Sequence, residues 1–480
     1  MNKKHLFLRG RTYGWLLAAS VTLLGACTDA IEPETWHPGV SNTTLAAPEI
    51  TAMSNADGTR TILSWPVVFG AGGFQMSLYD VTNASQPRTI VTDTIIDGST
   101  CEFPREDDSN YKLIVKTLGN EKYNNKESEE IEVLFSSLVP KIHEAAIPAG
   151  TDLAAWLQEN QSVIDAQTEE WAVELTCGET YQMNGSFYLG KVPFTLRSSD
   201  KNGVPPTIVM GTKGGFITES GVKIKNLNFD CTNMTDKKAA IVSYPSSPTI
   251  DKTKDFYLID SNTPIVLQNC KVKGLKTNLF YDGGKEWAVH TQMIKDCIIE
   301  VDHQAMGNNG AEICNLAKGF CFDFKILNST IYSQETSSKD AALIVYTGKR
   351  PNQILGGIYP TNLVQILNST FVNFQYKKSI CAYTRLGGQK MFTINVDKCI
   401  FLDCGNNRVA RDLCGNGNGN ETRQFGQNNY WYDGKKGDTG RAIGENLGVD
   451  PHFTQNADGI YVVGNAALKE AGLGDPRGLQ

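Results

Sequence analysis

A six-residue run returns seven times along this chain: Ile224–Phe229, Leu267–Val272, Ile294–Ile299, Ile326–Ile331, Ile366–Phe371 and, less regularly, Val396–Phe401 and Phe425–Tyr430. Its third position reads Asn226, Asn269, Asp296, Asn328, Asn368, Lys398 and Gln427, at intervals by subtraction of 43, 27, 32, 40, 30 and 29 residues. Units of this size that recur along a chain specify a solenoid. Each unit has an apolar strand, a polar kink and another apolar strand, and the shorter units leave no room for a helix. Stacked kinks put one side-chain amide above another, where each can bond to the next and satisfy a bend that would otherwise bury unpaired polar groups. The expected fold is therefore a parallel β-helix with an asparagine ladder of Asn226, Asn269, Asp296, Asn328 and Asn368. Cys270, Cys297, Ser329, Ser369 and Cys399 fill the neighbouring small-residue column.

The repeat occupies only part of 480 residues, and the segment before it has a different texture. Between Leu45 and Ser137, short alternating runs (Thr61–Trp65, Phe74–Tyr79, Arg88–Ile96, Tyr111–Thr117 and Glu130–Phe135) are separated by Gly, Asn and Asp, the spacing of a β-sandwich. After Pro140, Thr151-Asp152 can cap an amphipathic helix carrying Leu153, Ala154, Trp156 and Leu157.

The N-terminus carries Lys3, Lys4, Arg9 and Arg11 and then an apolar run of twelve residues from Trp15 to Ala26, too short for a spanning helix. It reads as a secretory signal peptide. Thr28–Thr44 is polar, acidic at Asp29, Glu32 and Glu34, broken by Pro33 and Pro38, and has too little apolar surface to fold, so it is a tether.

Charge narrows the partners. The whole chain has a formal charge of −7; without residues 1–26 it has 41 basic and 52 acidic side chains, or −11. That excludes a nucleic-acid binder of the phosphate-tracking kind. Any acidic ligand must be met by a local basic groove.

Several of these segments resemble known families. Leu24-Gly25-Ala26-Cys27 resembles the lipobox of bacterial lipoproteins, which implies cleavage after residue 26 and a lipidated Cys27. The acidic stretch behind it resembles the surface-export signals of Bacteroidota lipoproteins, which implies an anchor in the outer membrane on its outer face. Trp65 with Tyr111–Val115 makes residues 45–137 resemble a fibronectin type III module, in which the Tyr bonds back to the chain at a strand corner. The ladder, the capping helix and the ending Gly472–Arg477 make residues 141–480 resemble the right-handed parallel β-helix superfamily of pectate lyases. The whole arrangement is similar to β-helix lipoproteins encoded in polysaccharide-utilisation loci of gut Bacteroidota. The fold class implied is all-β: a fibronectin-like sandwich, then a right-handed parallel β-helix with an N-terminal cap helix.

In that superfamily the groove runs along the strand before the ladder strand. Here those strands end in Tyr244, Tyr281, Tyr346 and Tyr383, with Lys349, Arg350 and Arg385 following two of them. If coils stack at about 4.8 Å, the four tyrosines form a column on which sugar rings stack, while the cations hold carboxylates. The equally open alternative is an aromatic stack closing a strand edge, with solvated charges on the loops beyond it, because both alternation phases of these strands are apolar and the inward face is unassigned. The functional expectation is a surface lipoprotein that binds an acidic polysaccharide and hands it to an outer-membrane importer. A polysaccharide lyase is the alternative, with Lys349, Arg350 or Arg385 as base and neutralising cation and calcium as a possible cofactor; an adhesive β-helix is a third. The tandem acids characteristic of β-helix polygalacturonases are absent from the ladder and groove strands, their Gly-His-Gly signature is absent from the sequence, and no zinc spacing is visible. Asp302-His303 and Asp340 stand as isolated loop residues, and the pair His290 and His303 has no carboxylate-rich motif around it. Eleven cysteines remain beyond Cys27, an odd number that cannot pair completely in a monomer.

Overall fold

The computed structural model describes residues 39–480 except 55–59, 83–84, 107, 304–311, 338–341, 348, 350, 361, 382–391, 414–421 and 439–443. The signal peptide, Cys27, Arg350, Tyr383 and Arg385 therefore lie outside the described residues. The chain divides into two compact units, residues 1–138 and 139–480.

The first unit holds two antiparallel sheets. One is β1 (Thr51–Ser54), β2 (Arg60–Ser64) and β5 (Thr100–Pro104); the other runs in the order β4 (Arg88–Ile96), β3 (Phe74–Asp80), β6 (Asn110–Thr117), β7 (Ile131–Ser136). Alternation along β6 sends Tyr111, Leu113 and Val115 to a core shared with Leu63, Trp65, Phe74, Met76, Leu78 and Phe103. Trp65 packs edge-on to Phe74 at 5.1 Å. Tyr111 Oη donates to the carbonyl of Glu106 at 3.1 Å and accepts from its N–H at 2.9 Å, fixing the entry into β6.

The second unit is a parallel β-helix of three long sheets, with six, ten and eleven strands. The first sheet stacks Ser186–Tyr188, Gly215–Ile217, Ala240–Ser243, Asn278–Tyr281, Cys314–Leu316 and Ile344–Tyr346. The ladder strands form the second sheet, from Trp171–Leu175 to Thr422–Phe425, and the strands after the kink form the third, from Thr180–Met183 to Gln427–Tyr432. One continuous core of Leu, Ile, Val and Phe fills the interior; each such side chain contributes about 1.5–3 kcal/mol on burial. The two longest repeat intervals have a physical cause. Residues 245–264 add the strand Tyr257–Ile259 beside Trp287–Lys295, and residues 348–361 add the short helix Pro351–Ile354.

The kink is a left-handed residue. Asn226, Asn269, Asp296, Asn328, Asn368 and Lys398 have φ between 46° and 57°, a conformation in which Asn and Asp are the least penalised side chains after Gly. Asn269 Nδ2 donates to Asn226 Oδ1 at 2.7 Å, Asn328 to Asp296 at 3.0 Å and Asn368 to Asn328 at 3.2 Å. Asp296 has no N–H to pass the ladder on to Asn269. At Lys398 the ladder ends differently: its Nζ reaches Gln427 Oε1 at 3.3 Å and the carbonyl of Ala471 at 2.8 Å. The next column is buried throughout and forms a second ladder, with Cys297 N–H bonding Ser329 Oγ at 3.0 Å and Ser329 N–H bonding Ser369 Oγ at 3.2 Å.

Both ends are covered. At the start, helix α1 (Leu153–Glu159) is capped by Asp152, whose carboxylate accepts from the N–H of Ala154, and buries Leu153 and Leu157 against the first strands. At the end, Val463, Leu468 and Leu473 pack on Ile400 of the third sheet. There Arg477 donates to the carbonyls of Asp296 and Cys297 at 2.9 Å and of Asn328 at 3.2 Å, while Asp475 accepts from Thr330 at 2.8 Å.

Candidate functional site

The first sheet lies just before the ladder strands, where the groove was expected, and strand register decides which side chains reach its surface. Ser243 pairs with Tyr281, Tyr281 with Asn315, and Asn315 with Val345. Tyr244 and Tyr346 stand one step further along, in the row shared with Asp282 and Leu316, and adjacent positions of a strand face opposite ways. Tyr244 is 1% and Tyr346 5% exposed. Tyr244 Oη accepts from the buried Gln292 Nε2 at 2.7 Å and its ring lies 5.6 Å from Trp287, while Tyr346 packs 4.8 Å from Phe320. The expected glycan-facing column of Tyr244, Tyr281, Tyr346 and Tyr383 is corrected on these points: two of the four point into the coil, Tyr281 faces outward one register step away, and Tyr383 lies outside the described residues. The outward row is Ser243, Tyr281, Asn315 and Val345.

Asp282 belongs to the inward row. It is buried, and its carboxylate accepts from the N–H groups of Gly284 (2.8 Å), Lys318 (2.7 Å) and Gly319 (3.1 Å). Burial pushes its carboxyl up against the lowering effect of those donors. It holds two turns together.

The cations behave differently from one another. Lys349 Nζ lies 2.8 Å from Glu286, which Lys252 also meets at 3.2 Å. Lys349 chiefly, with Lys252, pulls the Glu286 carboxyl down to about 2. Lys349 is thus an ammonium engaged with a carboxylate. Arg350 and Arg385 are not among the described residues.

A cleft of about 170 Å³ opens on the outward face of the same sheet, lined by Ser186, Ile217, Ala240 and Ser243 from its strands and by Lys213, Asp236 and Lys238 from the loops that lead into it. Lys213 lies 3.8 Å from Asp236, and both lysines are exposed. Tyr281 is the register neighbour of Ser243. Burial first, then the charges of Asp282, Asp236 and Glu312, raise its phenol, which places Asp236 within electrostatic reach of the ring. Two hydroxyls, two ammonium groups and the Asp236 carboxylate therefore line one cleft, and Tyr281 stands on the next strand beside Ser243. Lys213 and Lys238 were missed in the sequence because they belong to no repeat; the available signal was the basic cluster Lys237-Lys238 in an acidic chain.

Among the described residues the histidines do not form a site. His290 is half-buried and edge-on to Tyr359 at 5.0 Å. His303 is 3% exposed and packs on Phe374, and burial pulls its imidazole down to about 4. Among the described residues no group of three or more His, Cys, Asp or Glu side chains is arranged to hold a metal ion. The calcium that a lyase would use therefore has no matching carboxylate set there.

Residues 1–180 match a family model described as a domain of unknown function, and residues 179–334 match a second, Domain of unknown function (DUF4957). No curated protein matches the chain. Among solved structures the chain is similar to pectate lyase PelI from Erwinia chrysanthemi in complex with tetragalacturonic acid, at 11% identity over 73% of this chain and 85% of that one, with a TM-score of 0.15. It is also similar to a family 28 exopolygalacturonase from Yersinia enterocolitica, at 11% identity over 87% of this chain and 100% of that one, with a TM-score of 0.23. At such identities and TM-scores these likenesses carry no argument about activity. The fold stands on the strand register described above.

Proposed function

We propose that this protein binds an acidic polysaccharide along the outward face of the first sheet, between Tyr281 and the wall formed by Lys213 and Lys238. The observation that carries this reading is the cleft, lined by two serine hydroxyls, two exposed ammonium groups and the Asp236 carboxylate, with the half-buried Tyr281 ring on the next strand beside Ser243. Tyr presents an apolar body with a polar tip, suited to a sugar face. Lys supplies point charges for carboxylates. In a chain with 41 basic and 52 acidic side chains beyond residue 26, such a local cationic wall is what an acidic glycan requires.

Binding is preferred to lysis because a general base must stand free to take its proton, and Lys349, the one candidate base among the described residues, is held by Glu286. The rest of the proposal follows the sequence. Cys27 is lipidated and anchors the protein on the outer face of the outer membrane, and residues 28–44 act as the tether. The first unit is a fibronectin type III-like spacer, supported by its two-sheet strand order and by Tyr111 bonding back to Glu106. A neighbouring glycan importer takes the ligand.

Affinity electrophoresis of the form lacking residues 1–27 tests the binding claim. Acidic glycans such as polygalacturonate should retard it while neutral glycans do not; an unretarded band across both sets contradicts the proposal. For the anchor, Cys27→Ala should release the protein from membranes, and continued retention would remove the lipoprotein claim.

A further inference from the structure

The small-residue column beside the asparagine ladder contains one step, among the described residues, where a thiol stands on a thiol. Its members in order are Leu227, Cys270, Cys297, Ser329, Ser369, Cys399 and Asn428. We propose that Cys270 and Cys297 are a site of covalent modification, an intramolecular disulfide that joins two successive coils and is formed by exchange with a small-molecule or protein disulfide. Register fixes the approach: Gln268 pairs with Lys295 before the two cysteines, and Lys271 pairs with Ile298 after them. Coils in such a sheet stack at about 4.8 Å, inside the Cα separation of roughly 4.4–6.8 Å that a disulfide spans. Cys297 Sγ lies 3.3 Å from the carbonyl of Leu267, so it already reaches into the coil that bears Cys270, whose own Sγ lies 3.2 Å from the carbonyl of Gln268 on that coil.

The position matters to the solenoid. The amide ladder is interrupted between Asn269 and Asp296, one residue before this pair, because Asp296 has no donor to offer. The cross-link restores a tie between the two coils there.

The reaction balances without a metal. One cysteine thiolate attacks the external disulfide, giving a mixed disulfide and one free thiol; the second cysteine thiolate then displaces the other external thiol. The two protons from Cys270 and Cys297 end on the released thiols, and the external disulfide receives the two electrons. Cys270 and Cys297 are 3% and 0% exposed, so exchange takes place as the coils close, and the finished bond is shielded from reductants.

The test refolds the full chain in mixtures of oxidised and reduced glutathione, alkylates it in denaturant without reduction and digests it with trypsin. The expected product is peptide 255–271 joined to peptide 296–318, lighter than their sum by two hydrogens. Cys314→Ser, in the second peptide, must leave the linkage intact. A reductant should then lower the thermal midpoint of the parent by roughly 5 °C and leave that of Cys270→Ser unmoved. Where refolding is incomplete, the same digest is applied to protein exported to an oxidising compartment and never unfolded. Full alkylation of Cys270 and Cys297 in the most oxidising mixture, or linkage through Cys314 instead, would overturn the proposal.

Discussion

At the scale of single residues, the molecule is governed by which side chains accept an unusual backbone or an unusual burial. Asn328 does both: it sits at a φ of 49°, donates to Asp296 and accepts from Asn368. Asn328→Ala removes both bonds and leaves a Cβ residue in the left-handed region, so urea unfolding should show a loss of about 2–4 kcal/mol. Asn328→Gly, which relieves the backbone but not the bonds, should lose less. His303 and Asp438 give opposite pH signatures. Burial lowers His303 from its ordinary 6.5 to about 4, so the unfolded chain takes up its proton first. Stability from this residue is intact above 6.5 and is lost as pH falls towards 4, by about 3 kcal/mol in all. Burial raises Asp438 from 3.8 to about 6, so its ionisation opposes folding as pH rises through that interval. Asp438→Asn should therefore stabilise the protein by about 3 kcal/mol at pH 7 and by nothing near pH 3, measured as unfolding midpoints across pH.

At the scale of elements, what was legible in the sequence follows from periodicity. The kinks could be read because Asn and Asp both tolerate the left-handed turn and bond to one another, so the same residue types return at each coil. The start of α1 could be read from Asp152 ahead of an apolar stripe. The facing of the tyrosine strands could not, since Ile241, Val242, Leu279, Phe280, Leu343 and Ile344 are all buried and erase the alternation that would assign an inside. In the first unit β1 and β5 went unread: one is a four-residue strand, and the other mixes Thr, Cys, Glu and Pro with a single buried Phe103. The C-terminal strap was visible only as a closing motif, because its function lies in contacts far along the chain. Arg477 ties three carbonyls of two successive coils and pairs with the buried Asp475 at 2.6 Å. Arg477→Ala strands that carboxylate and should cost about 3 kcal/mol. Hydrogen exchange should quicken first in Thr330–Tyr332 and Thr370–Val372, the strands whose threonines Asp475 holds; uniform protection would show the strap to be dispensable.

At the scale of the whole molecule, length and charge acquire a reason. A solenoid extends its core coil by coil, so one interior core runs along the second unit, residues 139–480, between three long sheets. Of those sheets, the end of the third is covered by the C-terminal strap, whereas the first presents Ser243 and Tyr281 at the lysine-lined cleft and beside it. An acidic protein with one basic wall should bind an acidic chain weakly in bulk and specifically in place, and salt should weaken that binding. The most direct test is calorimetric titration of the form lacking residues 1–27 with oligogalacturonates at two ionic strengths, alongside Tyr281→Ala and Lys213→Ala/Lys238→Ala. The predicted result is saturable binding that leaves the oligosaccharide intact, about tenfold weaker in Tyr281→Ala, and stripped of most of its salt dependence in the double lysine variant. Undiminished affinity in both variants, or unsaturated cleavage products from the parent protein, would contradict it.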